Sequence, residues 1–418
     1  MLSLEVALAR MLERVGPLPA ATVGLDDALG RVLAEPITAR VTLPPWDNSA
    51  MDGFAVQAAD VTGATKRWPK TLTVVGESRA GHPPEGTVRS GTAMRILTGA
   101  MLPPGADAVV PVEATDAPEG VAALPASVVV MGAAAVGANV RRAGSDLRQG
   151  DRLLEPGSRV SAAAVAVIAA AGHGSVRVHR RPRVAVLATG DELVEAGAVL
   201  GPGQIHDSNA PALAAQARQV GAEVRRLGIA HDTLAEVERR LAEAVAWADV
   251  VIVSGGVSVG AHDMVKSAME RFGPLDLWRV AIQPGKPLAF GRAVGPEGGP
   301  VLMFGLPGNP VSTFVTFEIF VRPVLRRLAG DADPLARDTV RARLSSALTS
   351  AKDRRAFLRV ALRPDTSNGT GWLASSAGGQ GSHVISALAT ADGLAIIPEG
   401  VDRLEAGAEV EVWRLEGA

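Results

Sequence analysis

The run Val250-Val251-Ile252-Val253 is uninterrupted, apolar and β-branched, and it breaks at once into Ser254-Gly255-Gly256-Val257-Ser258-Val259-Gly260, with Asp263 following. A short continuous apolar run reads as a strand buried on both faces, as in parallel sheets. The glycines can take φ > 0 and let backbone N–H groups approach an anion. Ser254 and Ser258 add donors, and Asp263 could hold a metal between itself and a phosphate. A bare Gly-Gly reads as an ordinary strand-to-helix turn; the whole pattern with its acid reads as an anion cradle.

The same grammar recurs on both sides. A strand at Arg183–Leu187 ends in Ala188-Thr189-Gly190-Asp191-Glu192, a helix at Pro211–Val220 follows, and a strand at Glu223–Ile229 ends in Ala230-His231-Asp232. Helices are expected at Leu234–Trp247 and Met264–Phe272, then strands at Leu275–Ile282, Leu288–Phe290 and Val301–Leu306. The turn Pro307-Gly308-Asn309-Pro310 opens a long helix over Val311–Leu328. Such alternation predicts a central three-layer α/β domain with a mostly parallel sheet covered on both faces. Right-handed crossovers put the strand-to-helix turns at one edge. Glu192, Asp232, Ser254–Gly260 and Pro307–Pro310 are therefore expected to converge. In Gln283-Pro284-Gly285-Lys286-Pro287 the prolines would hold Lys286 in a fixed loop suited to an oxyanion, although a lysine beside proline is more often simply exposed.

At 418 residues the chain exceeds one ordinary core. Before the α/β segment, Thr71–Pro111 and Val128–Leu154 show short β-like runs split by turns, which predicts a β-rich inserted domain. Asp52-Gly53, Thr98-Gly99 and Ser145-Asp146 sit at turns there, where turn chemistry is the simplest role for each. After Asp331 the chain is again β-like, predicting a C-terminal β domain. The expected division is 47–140 for the insertion, 179–330 for the α/β domain, 331–418 for the C-terminal domain, and 1–46 with 141–178 as linking, dimer-forming segments. The first of these holds an amphipathic helix with Leu4, Leu8, Met11, Leu12 and Val15 on one face, closed by Gly16-Pro17.

Lys+Arg (42) nearly balance Asp+Glu (44), so broad binding to nucleic acid or an anionic membrane is not indicated. Absence of cysteine excludes disulfides, thiolate metal sites and cysteine nucleophiles. The start of the chain lacks the features of a secretion signal, and Val160–Gly172 is too short and alanine-rich to span a bilayer, so a cytoplasmic location is expected. Neither a Walker A pattern nor a dinucleotide-binding glycine fingerprint occurs, and the histidines are scattered. Acids facing bound phosphates imply Mg2+.

SGGVSVGAHD, TGDEL, NSAMDG, RILTGAMLPPGADAVV, QPGKPLAFG and FGLPGNPVS, taken in their order, resemble the MoeA family of molybdopterin molybdenumtransferases, which is similar to the E domain of gephyrin. The resemblance covers essentially the whole chain. It implies insertion of molybdate into adenylyl-molybdopterin with release of AMP in a Mg2+-dependent step of molybdenum cofactor biosynthesis. It further implies a homodimer in which Asp52 reaches the partner's active site, with Thr98 and Asp146 flanking the same cleft. Glu192, Asp232 and Asp263 would be the acids around Mg2+ and pyrophosphate, with Asp232 and Asp263 as metal ligands. Ser254, Gly255, Gly256, Ser258 and Gly260, with Pro307, Gly308, Asn309 and Pro310, would bind the pterin nucleotide. Arg279, Lys286, Arg359 and Ser382 would hold molybdate. Relatives can carry lysines where this chain has Arg279 and Gln283, so one cation is kept and one lost. Transfer to or from other molybdenum cofactor proteins is a further implied contact. Two rival readings are a molybdopterin adenylyltransferase, which would need only the central α/β unit, and a gephyrin-like scaffold.

Overall fold

The computed structural model describes residues 1–117, 123–255, 264–366 and 371–415. The chain divides into two compact units, one of Pro36–Glu155 with Ala162–Val176, the other of the remaining residues.

The first unit is built on β1 (Gly53–Val56), β2 (Lys70–Ser78), β3 (Thr92–Ile96), β4 (Ala108–Pro111) and β5 (Ser127–Val130), in the order β4-β1-β3-β2-β5. All its pairings are antiparallel except β2–β3, whose register shifts between Val74 and Glu77. Phe54, Val56, Leu72, Ala93, Val110, Val128 and Val130 form its core. Gly53 is required where β1 meets β4, because a Cβ there would strike the backbone of Val110.

In the second unit, β6 (Arg183–Thr189), β7 (Glu223–Ala230), β8 (Val250–Ser254), β9 (Leu275–Arg279), β11 (Pro287–Val294) and β12 (Pro300–Leu306) form a sheet in the order β7-β6-β8-β12-β11-β9. β7, β6, β8 and β12 run parallel, and β11 is antiparallel to both its neighbours. Every residue of β8 is buried, as its unbroken β-branched run requires. Side-chain alternation divides the core. Val184, Val186 and Ala188 of β6 join Leu4, Ala7 and Met11 of α1 (Leu4–Leu12) and Leu213 and Ala217 of α2 (Asn209–Gln219). Ala185 and Leu187 point the other way, to Val237 and Leu241 of α3 (Leu234–Val245) and Val265 and Met269 of α4 (Met264–Glu270). Ser3 caps α1 by accepting from the Val6 N–H.

Two expected elements differ. The strand expected over Leu275–Ile282 stops at Arg279, and Ile282–Gln283 (β10) pairs instead with β14 (Arg355–Pro364). The helix expected over Val311–Leu328 is α5 (Pro310–Thr316) and α6 (Arg322–Leu328) joined by a π segment, Phe317–Val321. Pro323 has no N–H to offer the carbonyl four residues back, and its ring crowds that carbonyl, so the turn before it widens. Glu318, on the widened turn, is buried and receives Arg337 at 2.6 Å and Gln216 at 2.8 Å.

The C-terminal strands β13 (Thr339–Leu344), β14, β15 (Trp372–Ser376), β16 (Gly393–Ile397) and β17 (Glu409–Arg414) follow the order β14-β15-β13-β17-β16, and β16 pairs back onto β14. The sheet thus closes on itself, leaving no free edge among these strands.

Candidate active site

The register of the parallel strands sets four loop openings side by side. Thr189 stands opposite Ala230, Ala188 opposite Ser254, and Ser254 opposite Leu306. The loops starting at Gly190, His231, Gly255 and Pro307 therefore leave one sheet edge together, as expected for the C-terminal ends of parallel strands. Only glycine fits at 255, where φ is +97° and a Cβ would lie 2.6 Å from the Thr189 carbonyl oxygen. Gly308 packs against it, a Cβ there coming 3.8 Å from the Gly255 Cα. Ser254 is buried, and its hydroxyl has no partner among the described residues. Gly256, Ser258, Gly260 and Asp263 lie outside the described residues.

Glu192 and Asp232 are both exposed at this edge. Asp191 ties their loops together: its Oδ1 accepts from the Asp232 N–H at 3.1 Å and lies 3.3 Å from His231 Nδ1. The Glu192 carboxylate folds over Gly190, where a Cβ would approach it to 2.6 Å. Among the described residues, the Asp232 carboxylate accepts no hydrogen bond and joins no ion pair.

Sequence reading passed over Asp191, Asp207 and Asn209. Asp207 is 3% exposed, and its Oδ1 accepts from the N–H groups of Asn209 and Ala210, each at 3.0 Å, capping α2. Asn209 Nδ2 donates to the Gly308 carbonyl at 2.8 Å, binding the helix start to the Pro307–Pro310 turn. Asp-Ser-Asn ahead of Pro211 is a helix-start signature that could have shown this.

β11 is antiparallel to β12 with Ala289 opposite Gly305, so it starts at the edge where β12 ends. Lys286, half-buried, precedes that start, and Arg279, exposed, stands opposite Pro287. Among the described residues neither cation has an ion-pair partner. Gln283 Oε1 accepts from the Ala351 N–H at 2.7 Å. That contact needs an acceptor, which a lysine could not supply.

Arg359, on β14, is fully buried. Its Nη2 donates to the carbonyls of Gly379 at 2.8 Å and Gly381 at 3.1 Å, while Nε and Nη1 have no partner among the described residues. Burial pushes its pKa down, with no acid among the described residues to offset it. Gln380 clamps the same strand, accepting from the Arg359 N–H at 3.0 Å and donating to its carbonyl at 2.8 Å. The next residue but one, Ser382, accepts from Asn309 Nδ2 at 3.1 Å, and its carbonyl accepts from the Val311 N–H at 3.2 Å. Sequence distance of more than 70 residues is thereby closed between Asn309 and Ser382. Acids, uncommitted cations, glycine turns and a buried guanidinium thus serve one edge of the sheet and the loop attached to it.

In the other unit, Asp52 Oδ1 accepts from the Thr98 N–H at 2.6 Å and from its hydroxyl at 2.7 Å. The amide first, then the hydroxyl, hold the Asp52 carboxyl below the ordinary carboxylate range. Both residues line a groove of about 1090 Å3. Asp146 is exposed on another turn, where its N–H donates to the Leu43 carbonyl at 3.0 Å. Thr98→Val keeps the amide and loses the hydroxyl, so the Asp52 titration should move up toward the ordinary value. A depressed carboxylate stabilises the fold above its unfolded pKa and loses that contribution as pH falls through its folded pKa. In the variant this contribution should be smaller, and its loss should be complete at a higher pH. Carboxyl NMR titration of Asp52 reads the shift directly, and an unmoved midpoint would contradict it.

Comparison with known proteins agrees with this geometry. Residues 185–327, the sheet and its site loops, match the family model for a probable molybdopterin binding domain. Residues 2–172 match the MoeA N-terminal region (domain I and II) and residues 341–415 the MoeA C-terminal region (domain IV), and the chain belongs to the MoeA family. Molybdopterin molybdenumtransferase 2 of Mycobacterium tuberculosis is 41% identical over 417 residues, covering 98% of this chain and 97% of that protein. The molybdopterin molybdenumtransferase of a Nostoc species is 38% identical, over 94% of this chain and 88% of its own length. The crystal structure of a molybdopterin biosynthesis MoeA protein from Pyrococcus horikoshii matches with a TM-score of 0.82 and 35% identity, covering 100% of both chains. No helix among the described residues is long and apolar enough to cross a membrane.

Proposed function

We propose that the protein is a molybdopterin molybdenumtransferase that inserts molybdate into adenylyl-molybdopterin and releases AMP. One observation carries this reading: exposed acids and uncommitted cations share the sheet edge formed by the ends of β7, β6, β8 and β12 and the start of β11. A site that brings a dianion to a pyrophosphate needs both kinds of charge, one to hold the oxyanion and one to hold a neutralising metal.

At the cationic pole, Lys286 and Arg279 hold molybdate, with Arg359 and Ser382 completing its oxygen contacts. Gln283 adds no charge, so Lys286 and Arg359 carry more of the attraction. At the acidic pole, Asp232 and Asp263 would hold Mg2+, and Glu192 lies at the same sheet edge as Asp232. The Asp232 carboxylate fits that role, since a hard oxygen donor with no hydrogen bond from the described residues is left for a cation. When bound, Mg2+ neutralises charge on the pyrophosphate. The Ser254–Gly260 cradle and the Pro307–Pro310 turn hold the nucleotide phosphates. An oxygen of molybdate or of water attacks the pterin-side phosphorus of the pyrophosphate, the bond from that phosphorus to the bridging oxygen breaks, and AMP leaves carrying that oxygen. In a homodimer, Asp52, Thr98 and Asp146 of one subunit complete the site of the other.

The N-terminal and C-terminal regions favour this reading over an adenylyltransferase, which has no use for them. AMP release that depends on added molybdate is the test.

A further inference from the structure

The groove holding Asp52 and Thr98 is larger and more varied than those two groups require. At about 1090 Å3 it lies just above the usual range for sites that enclose a drug-sized ligand. A tetrahedral oxyanion alone would leave most of it empty. Met51, Leu97 and Leu124 line it and are 37%, 37% and 45% exposed, an apolar lining left open to solvent. Glu77, Arg79 and Arg95 line it as well. Glu77 of β2 stands opposite Arg95 of β3, and its carboxylate forms ion pairs with Arg95 and Arg79. Arg95 Nη1 also donates to the Ala123 carbonyl at 3.2 Å, fixing the guanidinium in the wall. Burial pushes Glu77 up, but the hydrogen bonds from Arg79 and Arg95 overcome it, so the carboxyl sits below its ordinary range. Each carboxylate oxygen can accept more than one donor, and the Arg79 side chain, 63% exposed, has N–H groups with no partner among the described residues.

We propose that this groove binds the pterin ring of the substrate, with Met51, Leu97 and Leu124 against the ring and the Arg79–Glu77–Arg95 cluster reading its 2-amino-4-oxo edge. This rests on the molybdopterin reading above. That edge offers a carbonyl acceptor flanked by N–H donors, the pattern guanine also presents. A guanidinium donates to the carbonyl while a carboxylate accepts from the N–H groups. Adenine, the other ring of adenylyl-molybdopterin, has no carbonyl, and proteins meet it with asparagine or glutamine rather than arginine. The groove therefore selects the pterin end of the molecule.

Binding of free pterin to the full chain, followed by the pterin's own fluorescence, tests this. Arg79→Ala and Leu124→Asp alter exposed side chains and leave the core intact. Each should weaken pterin binding about tenfold, guanosine should compete, and adenosine should not. Each should also raise KM for adenylyl-molybdopterin by a similar factor while leaving KM for molybdate unchanged. Equal pterin affinity in wild type and both variants overturns the assignment, as does displacement of pterin by adenosine. If wild type turns over substrate but binds no pterin, the groove assignment fails and the transferase reading stands. If wild type shows the full pterin signature yet releases no molybdate-dependent AMP, the groove stands and the transferase reading fails.

Discussion

Arg359→Met is expected to reduce molybdate-dependent AMP release by about a hundredfold or more without lowering the melting temperature. The side chain is fully buried, and two of its guanidinium nitrogens lack a partner among the described residues. A buried charge with no counter-ion costs folding free energy, and an apolar side chain of similar length removes that cost. Against this stands the loss of the hydrogen bonds to Gly379 and Gly381 that steady the loop carrying Ser382. The two effects oppose each other, so stability should be unchanged or raised. A guanidinium kept for structure alone would give the reverse result. Thermal melting and turnover on the same preparation decide between them, and a large fall in melting temperature with turnover intact would contradict the molybdate role.

Asp232→Asn should lower the rate of AMP release by about a thousandfold and leave the fold untouched. The carboxylate is exposed and holds no hydrogen bond or ion pair among the described residues, so nothing in the architecture depends on its charge. Its own N–H, which Asp191 accepts, is kept in the variant and preserves the loop. Asparagine keeps the shape and loses the charge that a divalent cation requires. Asp263→Asn should lower the rate by a similar factor. Rates at saturating Mg2+ and molybdate, together with an unchanged circular dichroism spectrum, check this. Wild-type rates in both variants would remove the pair from the mechanism.

The α/β frame was legible because its signals are local. Val250–Val253 can only be buried on both faces, and glycine turns after successive strands of a parallel sheet must share an edge. Hence Glu192, Asp232, Ser254 and Pro307–Pro310 could be placed together from their spacing alone. What escaped depends on tertiary context. Ile282-Gln283 has the pattern of a continuing strand, and its transfer to the C-terminal sheet follows from pairing with Arg355 and Ala356. Pro323 sits inside an apolar-faced helix, and whether such a residue kinks the helix or is absorbed by a π turn is set by packing around Glu318. Arg359 looks like an ordinary strand cation, because nothing local shows that the Gly378–Gly381 loop covers it. The Asp52–Thr98 pair joins residues 46 apart, a contact made by pairing of β1 with β3 rather than by either turn.

The most direct test is AMP release from adenylyl-molybdopterin by purified protein at fixed Mg2+ as molybdate is raised from zero. Almost no AMP is expected without molybdate, with a rate that climbs to saturation as molybdate is added. AMP released at the same rate with and without molybdate, or none at any concentration, would contradict it.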